Sequence, residues 1–491
     1  MKPLKQNNHM LTRRAFIASA MIGSSNALLT AKWAFGQSNL FERSLPIPPL
    51  IDARSVANKI SLIAAEGRHK FFPNQPTATS GYSGAILGPT LRFHKGDEIA
   101  VTVENRLSRH TTVHWHGLLI PSISDGGPHN LIAPDTSWQT TLKIDQPEST
   151  AWFHPHPHGD TARQVYSGLA GMVLINDGSS ERLGLPRTYG ADDIPLILQE
   201  RQFNSNGSLR YDDGPQTTML GARGDTIIVN GVIAPVARVP VGLVRLRLLN
   251  GSNARTFDLS FSDARAFHVI ASDGGYLPSP VRRTRLIISP GERFELLADF
   301  SDARSVLLET GADQFIPMMG MMSGDVSGAA QIIKFEPDPT KLAPIKSIPE
   351  KLSTISGIGK VDGLRRRQFV LNDHMMGMRS RNRGLAINGR QYDMTRIDTT
   401  VSLGSSEVWE VESGMMAHPF HIHGVQFRIL SIDRRKPPMH LQGNKDTVLV
   451  PGSAEILVHF SQRATREHPF MYHCHILEHE DAGMMGQYVA T

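Results

Sequence analysis

The sequence predicts an all-β fold of three tandem Greek-key sandwiches. Three observations predict it: the length, a period-two apolar pattern that recurs in three segments, and the scarcity of helical periodicity. At 491 residues the chain exceeds one ordinary domain and suits about three. Its 40% hydrophobic content can fill several cores, and nothing in the composition signals disorder or a fibrous repeat. In the first segment, residues 98–107 (EIAVTVENRL) place Ile99, Val101 and Val103 on one face. In the second, Val244, Leu246 and Leu248 do the same within VRLRLLNGS. In the third, Val408 and Val411 flank Trp409 in EVWEVE, and EILVHF (455–460) follows as a later strand. Short strands separated by Gly and Pro turns are the pattern of sandwiches.

The segments are expected at residues 37–177, 192–336 and 365–491. Residues 337–364, rich in Pro and Lys, read as a linker. Residues 1–36 read as a signal peptide. They carry Lys2, Lys5, Arg13, Arg14 and Lys32 and no acidic residue, so they account for the whole net charge of +5. Without them, basic and acidic side chains balance, which removes the case for nucleic-acid binding. The Arg13-Arg14 pair, the weakly apolar stretch to Ala31 and the small-x-small site Ala34-Phe35-Gly36 resemble a twin-arginine export signal. A membrane anchor is the competing reading, but Ser19, Gly23, Ser24, Ser25 and Asn26 interrupt the apolar run. A periplasmic protein without stable membrane insertion is therefore expected. Its single cysteine, Cys474, excludes an internal disulfide. A lone thiol in an oxidising compartment needs something to hold it.

The histidines supply the chemistry. With 21 His in the chain, chance predicts roughly one His-x-His pair. Five occur: His114/His116, His154/His156, His156/His158, His421/His423 and His473/His475. They stand in HWHG (114–117), WFHPHPHG (152–159), HPFHIHG (418–424) and HCHILEHEDAGMM (473–485), only in the first and third segments. Residues two apart on a strand share a side, so each pair sets two imidazoles together as a metal clamp. A single such histidine would read as an ordinary core or surface residue. Four clusters do not.

In His473-Cys474-His475 the alternation sends the sulfur one way and both imidazoles the other, so one strand can touch two metal centres. A thiolate, two histidines and a weak thioether form the ligand set of blue copper. His479 and Met484 follow close by.

These four motifs resemble those of the multicopper oxidases (laccases, bilirubin oxidases, ferroxidases, bacterial cuprous oxidases), and the resemblance covers essentially the whole chain after the signal. It implies cupredoxin-like domains and four copper ions: one type 1, one type 2 and two type 3. By motif position, type 1 copper takes His418, Cys474, His479 and Met484. Type 2 takes His114 and His421. One type 3 ion takes His116, His154 and His475; the other takes His156, His423 and His473. His158 is read as a buttress, and the second segment as a spacer between the outer two. The implied reaction is one-electron oxidation of a small substrate coupled to four-electron reduction of dioxygen to water. The path from Cys474 sulfur to the cluster is on the order of 10 Å. Asp125 and Glu480 match positions that relay protons in bacterial members, and proton delivery needs positioned acids. A monomer is expected.

The reducing substrate is read from methionine. Nineteen are present, with runs at Met318–Met322, Met375–Met378, Met415–Met416 and Met484–Met485. Thioethers favour Cu(I), whereas isolated methionines are core filler. DHMMGM (373–378) and GMMAHPF (414–420) resemble the periplasmic copper-efflux branch, which implies a Cu(I) site from Asp373, Met375, Met376, Met415 and Met416. Two departures stand against it: the long Met- and His-rich insert is absent, and Gly414 replaces an expected acid. A shorter cover over type 1 copper favours phenols and diamines, and Fe(II) is a further candidate. Two other classes compete. A copper-sequestering protein needs the clusters but not the His-Cys-His bridge, and an envelope scaffold of this architecture need not keep the ligands.

Overall fold

The structure is a computed structural model that describes residues 41–316, 328–355, 358–372 and 385–491. The export signal and the Met318–Met322 run lie outside the described residues, as do Asp373, Met375 and Met376.

Between Arg43 and Thr491 the strands form three consecutive cupredoxin-like β-sandwiches. In the first, one sheet runs in the order Leu50–Asp52, Thr90–His94, Gly171–Asn176, Ser149–Phe153. The facing sheet runs Gln75–Tyr82, Lys59–Phe72, Glu98–Arg106, Thr136–Lys143. Ile99, Val101 and Val103 point into the core beside Trp115, as the alternation predicts. The third sandwich has two five-stranded sheets, one of which sets Phe470–Cys474 beside His418–Ile422 in antiparallel register.

The middle sandwich departs from the simple pattern. Its seven-stranded sheet contains Leu243–Asn250, whose Val244, Leu246 and Leu248 fill the core. The alternate residues are not solvated. Arg245 and Arg247 are buried too, paired with Glu295 and Asp193, and Thr150 of the first sandwich bonds Glu295 from across the junction. Polar residues on the outer face of this strand therefore mark an inter-domain surface. Buried charges persist there because each is paired and hydrogen-bonded.

Residues 337–342, expected in the linker, continue a strand. Strand Ala330–Leu342 runs on through Pro337 and Pro339, pairing in parallel with Val236–Val241. Its pairing with Val306–Thr310 ends at Phe335, so the prolines lie where one neighbour no longer requires an N–H. Beyond it, Leu352 packs with Leu185 and Tyr276, and Ser353 Oγ donates to the Tyr276 and Leu277 carbonyls. No helix among the described residues is long and apolar enough to cross a membrane.

Candidate metal centres

Sequence-distant strands bring the four motifs together. His114 and His154 pair main chain to main chain, joining HWHG to the HPH segment. Opposite them, His421 faces His473 across the Phe470–Cys474 and His418–Ile422 strands. All eight imidazoles (His114, His116, His154, His156, His421, His423, His473 and His475) are buried.

For seven of the eight rings, all but His475, the orientation follows from what lies beside the outer nitrogen. The Nδ1 atoms of His114, His154, His421 and His473 lie 3.1, 2.9, 2.8 and 3.0 Å from the carbonyls of Asp125, Pro155, Asp446 and Cys474. A carbonyl only accepts, so the ring proton sits on Nδ1 and the Nε2 lone pair faces inward. His423 Nδ1 meets Asp125 Oδ2 at 2.7 Å, with the same result, and His156 Nδ1 lies 3.3 Å from Glu480 Oε1, whose charge favours a proton on that nitrogen. His116 is reversed: its Nε2 lies 3.0 Å from Asp446 Oδ1, and its Nδ1 faces His475 Nε2 at 3.3 Å. The Nε2 atoms of His156 and His423 lie 3.3 and 3.2 Å from His473 Nε2. Those of His114, His154 and His421 have no hydrogen-bond partner. Buried lone pairs aimed at one another are unfavourable unless a cation stands among them, and so the residues present fit metal ions.

Three sets of donor atoms fall within 4.8 Å of one another in the groupings His156/His423/His473, His114/His116/His154 and His114/His421/His423. A separate set unites His418, Cys474 and His479. His418 Nδ1 and His479 Nδ1 lie 3.3 and 3.6 Å from Cys474 Sγ and 3.2 Å from each other. His479 Nε2 donates to the Met219 carbonyl at 3.0 Å, which puts the ring proton on Nε2 and turns the Nδ1 lone pair towards the sulfur. The Ile476 N–H donates to the sulfur at 3.4 Å, a contact that favours thiolate. Met484 is buried in the same core cluster, its main chain bonded to Cys474 and His479. A thiolate with two imidazoles and a nearby thioether is a copper set.

Burial, reinforced by mutual repulsion among the rings, holds His116, His154, His421, His423 and His475 well below the usual imidazole range. His156 is likewise depressed by burial, although Glu480 opposes the shift. Burial would raise Glu480, but His156 and His473 overcome it and bring it to about 2. Its Oε2 lies 3.1 Å from His473 Nδ1. Both predicted acids, Asp125 and Glu480, thus touch rings of the cluster.

Other sequence expectations meet different outcomes. His158, expected as a buttress behind the ligands, stands exposed and edge-on to Tyr392. Met416 is 6% exposed and packs in the core with Cys474 and Met484, whereas Met415 is 65% exposed. The two adjacent methionines point to different environments. Sequence reading missed Asp446, which joins His116 and His421 in a further donor set. It follows Lys445 in a stretch without histidine, so no local signal marked it. The middle sandwich is also more than a spacer: Met219, Gly291 and Arg293 belong to it and touch either the centres or Asp446.

Comparison with known proteins agrees with this geometry. Residues 64–180 and 366–491 each match the multicopper oxidase family, and these are the regions that carry the histidine motifs. A multicopper oxidase of Staphylococcus epidermidis is 39% identical, with 88% of each chain aligned. The cell division protein FtsP of Escherichia coli is 35% identical over 97% of this chain and 98% of its own. The solved structure of CueO, a laccase-like multicopper oxidase from Ochrobactrum sp., is 42% identical, with a TM-score of 0.85 over 91% of this chain and 100% of its own. Likeness of this extent means that the chain belongs to the multicopper oxidase family.

Proposed function

We propose that this chain is an exported oxidase that takes single electrons from a small donor at a type 1 copper and reduces dioxygen to water at a three-copper cluster. The observation that carries the reading is the convergence of eight inward imidazole nitrogens on one side of the 473–475 segment and the Cys474 sulfur on the other. The ligands are those of the motif assignment: His418, Cys474, His479 and Met484 for type 1; His114 and His421 for type 2; His116, His154 and His475, and His156, His423 and His473, for the type 3 pair. Bound there, copper supplies a one-electron acceptor and a dioxygen-reducing centre. The chain supplies the connection. Cys474 is bonded through its backbone to both His473 and His475, and His473 Nδ1 also donates to the Cys474 carbonyl, shortening the path between sulfur and ring. Asp125 accepts the ring proton of His423, and Glu480 lies beside the rings of His156 and His473, so both stand where a proton relay to the cluster needs them.

Cu(I) is the favoured donor, with phenols and diamines next and Fe(II) a further candidate. The buried thioether of Met416 and the exposed one of Met415, both within three residues of His418, support Cu(I). The laccase-like Ochrobactrum relative, whose name records oxidase activity towards lignin model compounds, supports phenols. The arginine pair supports export to the periplasm by the twin-arginine route, with residues 1–36 removed. We also take the protein as a monomer with sandwiches near 37–177, 192–336 and 365–491. A non-catalytic role in the envelope is the second reading, favoured by the 35% identity to a cell division protein.

Oxygen uptake by the copper-loaded protein with Cu(I), Fe(II) and a phenol in turn tests the proposal. The expected result is a blue protein that consumes about one dioxygen per four donor electrons, and a Cys474→Ser variant that is colourless and inactive with every donor. A blue protein that consumes no oxygen with any donor would favour the envelope role.

A further inference from the structure

Arg293, in the middle sandwich, sits where no motif predicts a functional residue. It is wholly buried, and its guanidinium spends every donor. Nε donates to the Thr150 carbonyl at 3.0 Å, and Nη1 to the Gly291 carbonyl at 2.8 Å. Nη2 reaches the Asp273 carbonyl at 3.3 Å. The two terminal nitrogens then grip Asp446 as a fork, Nη1 on Oδ1 at 2.8 Å and Nη2 on Oδ2. Asp446 in turn meets one ring from each outer sandwich. Its Oδ1 lies 3.0 Å from His116 Nε2, and its main-chain oxygen takes His421 Nδ1 at 2.8 Å. The glycine that closes HWHG makes room for the fork: a Cβ at Gly117 would lie 2.6 Å from Arg293 Nη2 and 2.9 Å from Asp446 Oδ2.

His116 is also the ring that turns its Nδ1 inward where its neighbours turn Nε2. The turn has a physical cause. Its Nε2 faces a carboxylate, so the proton sits there and the lone pair is left on Nδ1. Asp446 can hold that ring only while its own carboxylate is fixed, and the fixing group is Arg293. The Thr447 hydroxyl also donates to Oδ1, at 2.9 Å, but one neutral donor does not replace a charged fork, and a carboxylate buried without its cation would reorient.

We infer that Arg293 is a positioning residue for dioxygen reduction: through Asp446 it sets which nitrogen His116 presents to the three-copper cluster. The middle sandwich, which offers no ligand motif, thereby controls the geometry of a site built from the other two. The inference rests on the copper reading of the cluster.

The test compares Arg293→Met, Arg293→Lys and the double variant Arg293→Met/Asp446→Asn, each loaded with copper. Five quantities are read: the blue absorption of the thiolate site, copper per chain, the electron-spin signature of the cluster, oxygen uptake and the thermal midpoint. The double variant removes both buried charges and so guards against misfolding of the single one. Arg293→Met is expected to keep the blue absorption while its cluster signature changes or its cluster copper is lost, with oxygen uptake falling about tenfold or more. Arg293→Lys should restore part of the signature, because lysine keeps the charge but cannot form the fork. The double variant should melt near the parent and still carry the altered cluster. A parent-like cluster signature in Arg293→Met or in the double variant overturns the inference. So does loss of the blue absorption and the fold together in all three, since Arg293 would then be a clamp for the whole molecule. A parent chain that binds no copper would sink the copper reading itself.

Discussion

At Gly291 one methyl group decides whether a ring of the cluster can stay in place. A Cβ there would lie 2.8 Å from Cδ2 and 2.9 Å from Nε2 of His475, and the backbone has φ +83°. The ring cannot yield without moving its metal-facing nitrogen, and the left-handed backbone costs an L side chain about 1–2 kcal/mol. Gly291→Ala is therefore expected to lower cluster copper and cut oxygen uptake about tenfold or more while the blue absorption persists, read by copper analysis and visible spectroscopy. Cys474→Ser acts at the other centre. It should remove the blue absorption and one copper and leave the thermal midpoint of the metal-free protein unchanged, because the substitution is nearly isosteric.

Between elements, one contact at the thiolate site is made by two short helices. Pro215–Leu220, from the middle sandwich, brings the Met219 carbonyl to His479, which stands on Leu477–Asp481 of the third. Gly221 ends the first helix with φ +77°, and a Cβ there would lie 2.1 Å from Ala254 Cβ and 2.8 Å from Ile476 Cγ2. The helix N-terminal to it would have to lift. Gly221→Ala should thus shift the position of the blue absorption and lower the thermal midpoint, whereas the cluster signature should not change. An unaltered blue band would show that the Met219 carbonyl does not orient His479. The strand pair is less forgiving still. His421 faces His473 in a fixed register, and a slip of one residue would exchange the sulfur with the imidazoles.

Across the whole molecule, the three sandwiches are held by buried charge as well as by apolar contact. Lys445 lies between Asp273 and Glu292 at 2.9 and 3.0 Å, and Arg247 between Asp193 and Glu295 at 2.7 and 2.9 Å. The cluster adds a pH dependence. Burial and mutual repulsion keep His116, His154, His421, His423 and His475 neutral in the folded, metal-free chain, well below the usual imidazole range. The unfolded chain takes up these protons as pH falls through about 6.5. It then binds more protons than the native chain, so native stability is full above that pH and is lost progressively below it. Calorimetry of the metal-free protein should show the midpoint falling steeply from pH 7.5 to 5.5, and replacing His421 by Gln should flatten that slope. Copper binds the folded state, so loading it should raise the midpoint at pH 7.5.

Much of this was legible in the sequence because it depends on local periodicity. Alternation along a strand is geometry that any backbone obeys, so the opposed placement of Cys474 and its flanking imidazoles needed no fold to predict it. The all-β class was readable for the same reason and the two motif-bearing segments from their His-x-His spacing, whereas Asp125 and Glu480 were marked only by the resemblance to the family, as acids within or just beyond its motifs. What lacked a local signal was every contact made by residues far apart in the chain. Asp446 has no histidine beside it, Arg293 lies in a strand that reads as ordinary core, and Gly117 and Gly291 look like turn glycines. Their roles arise where three sandwiches meet. Sequence determined which atoms could bind copper; tertiary structure alone decided which nitrogen of each ring faces inward, because a ring's orientation is set by the acceptor at its back, and that acceptor can come from any part of the chain.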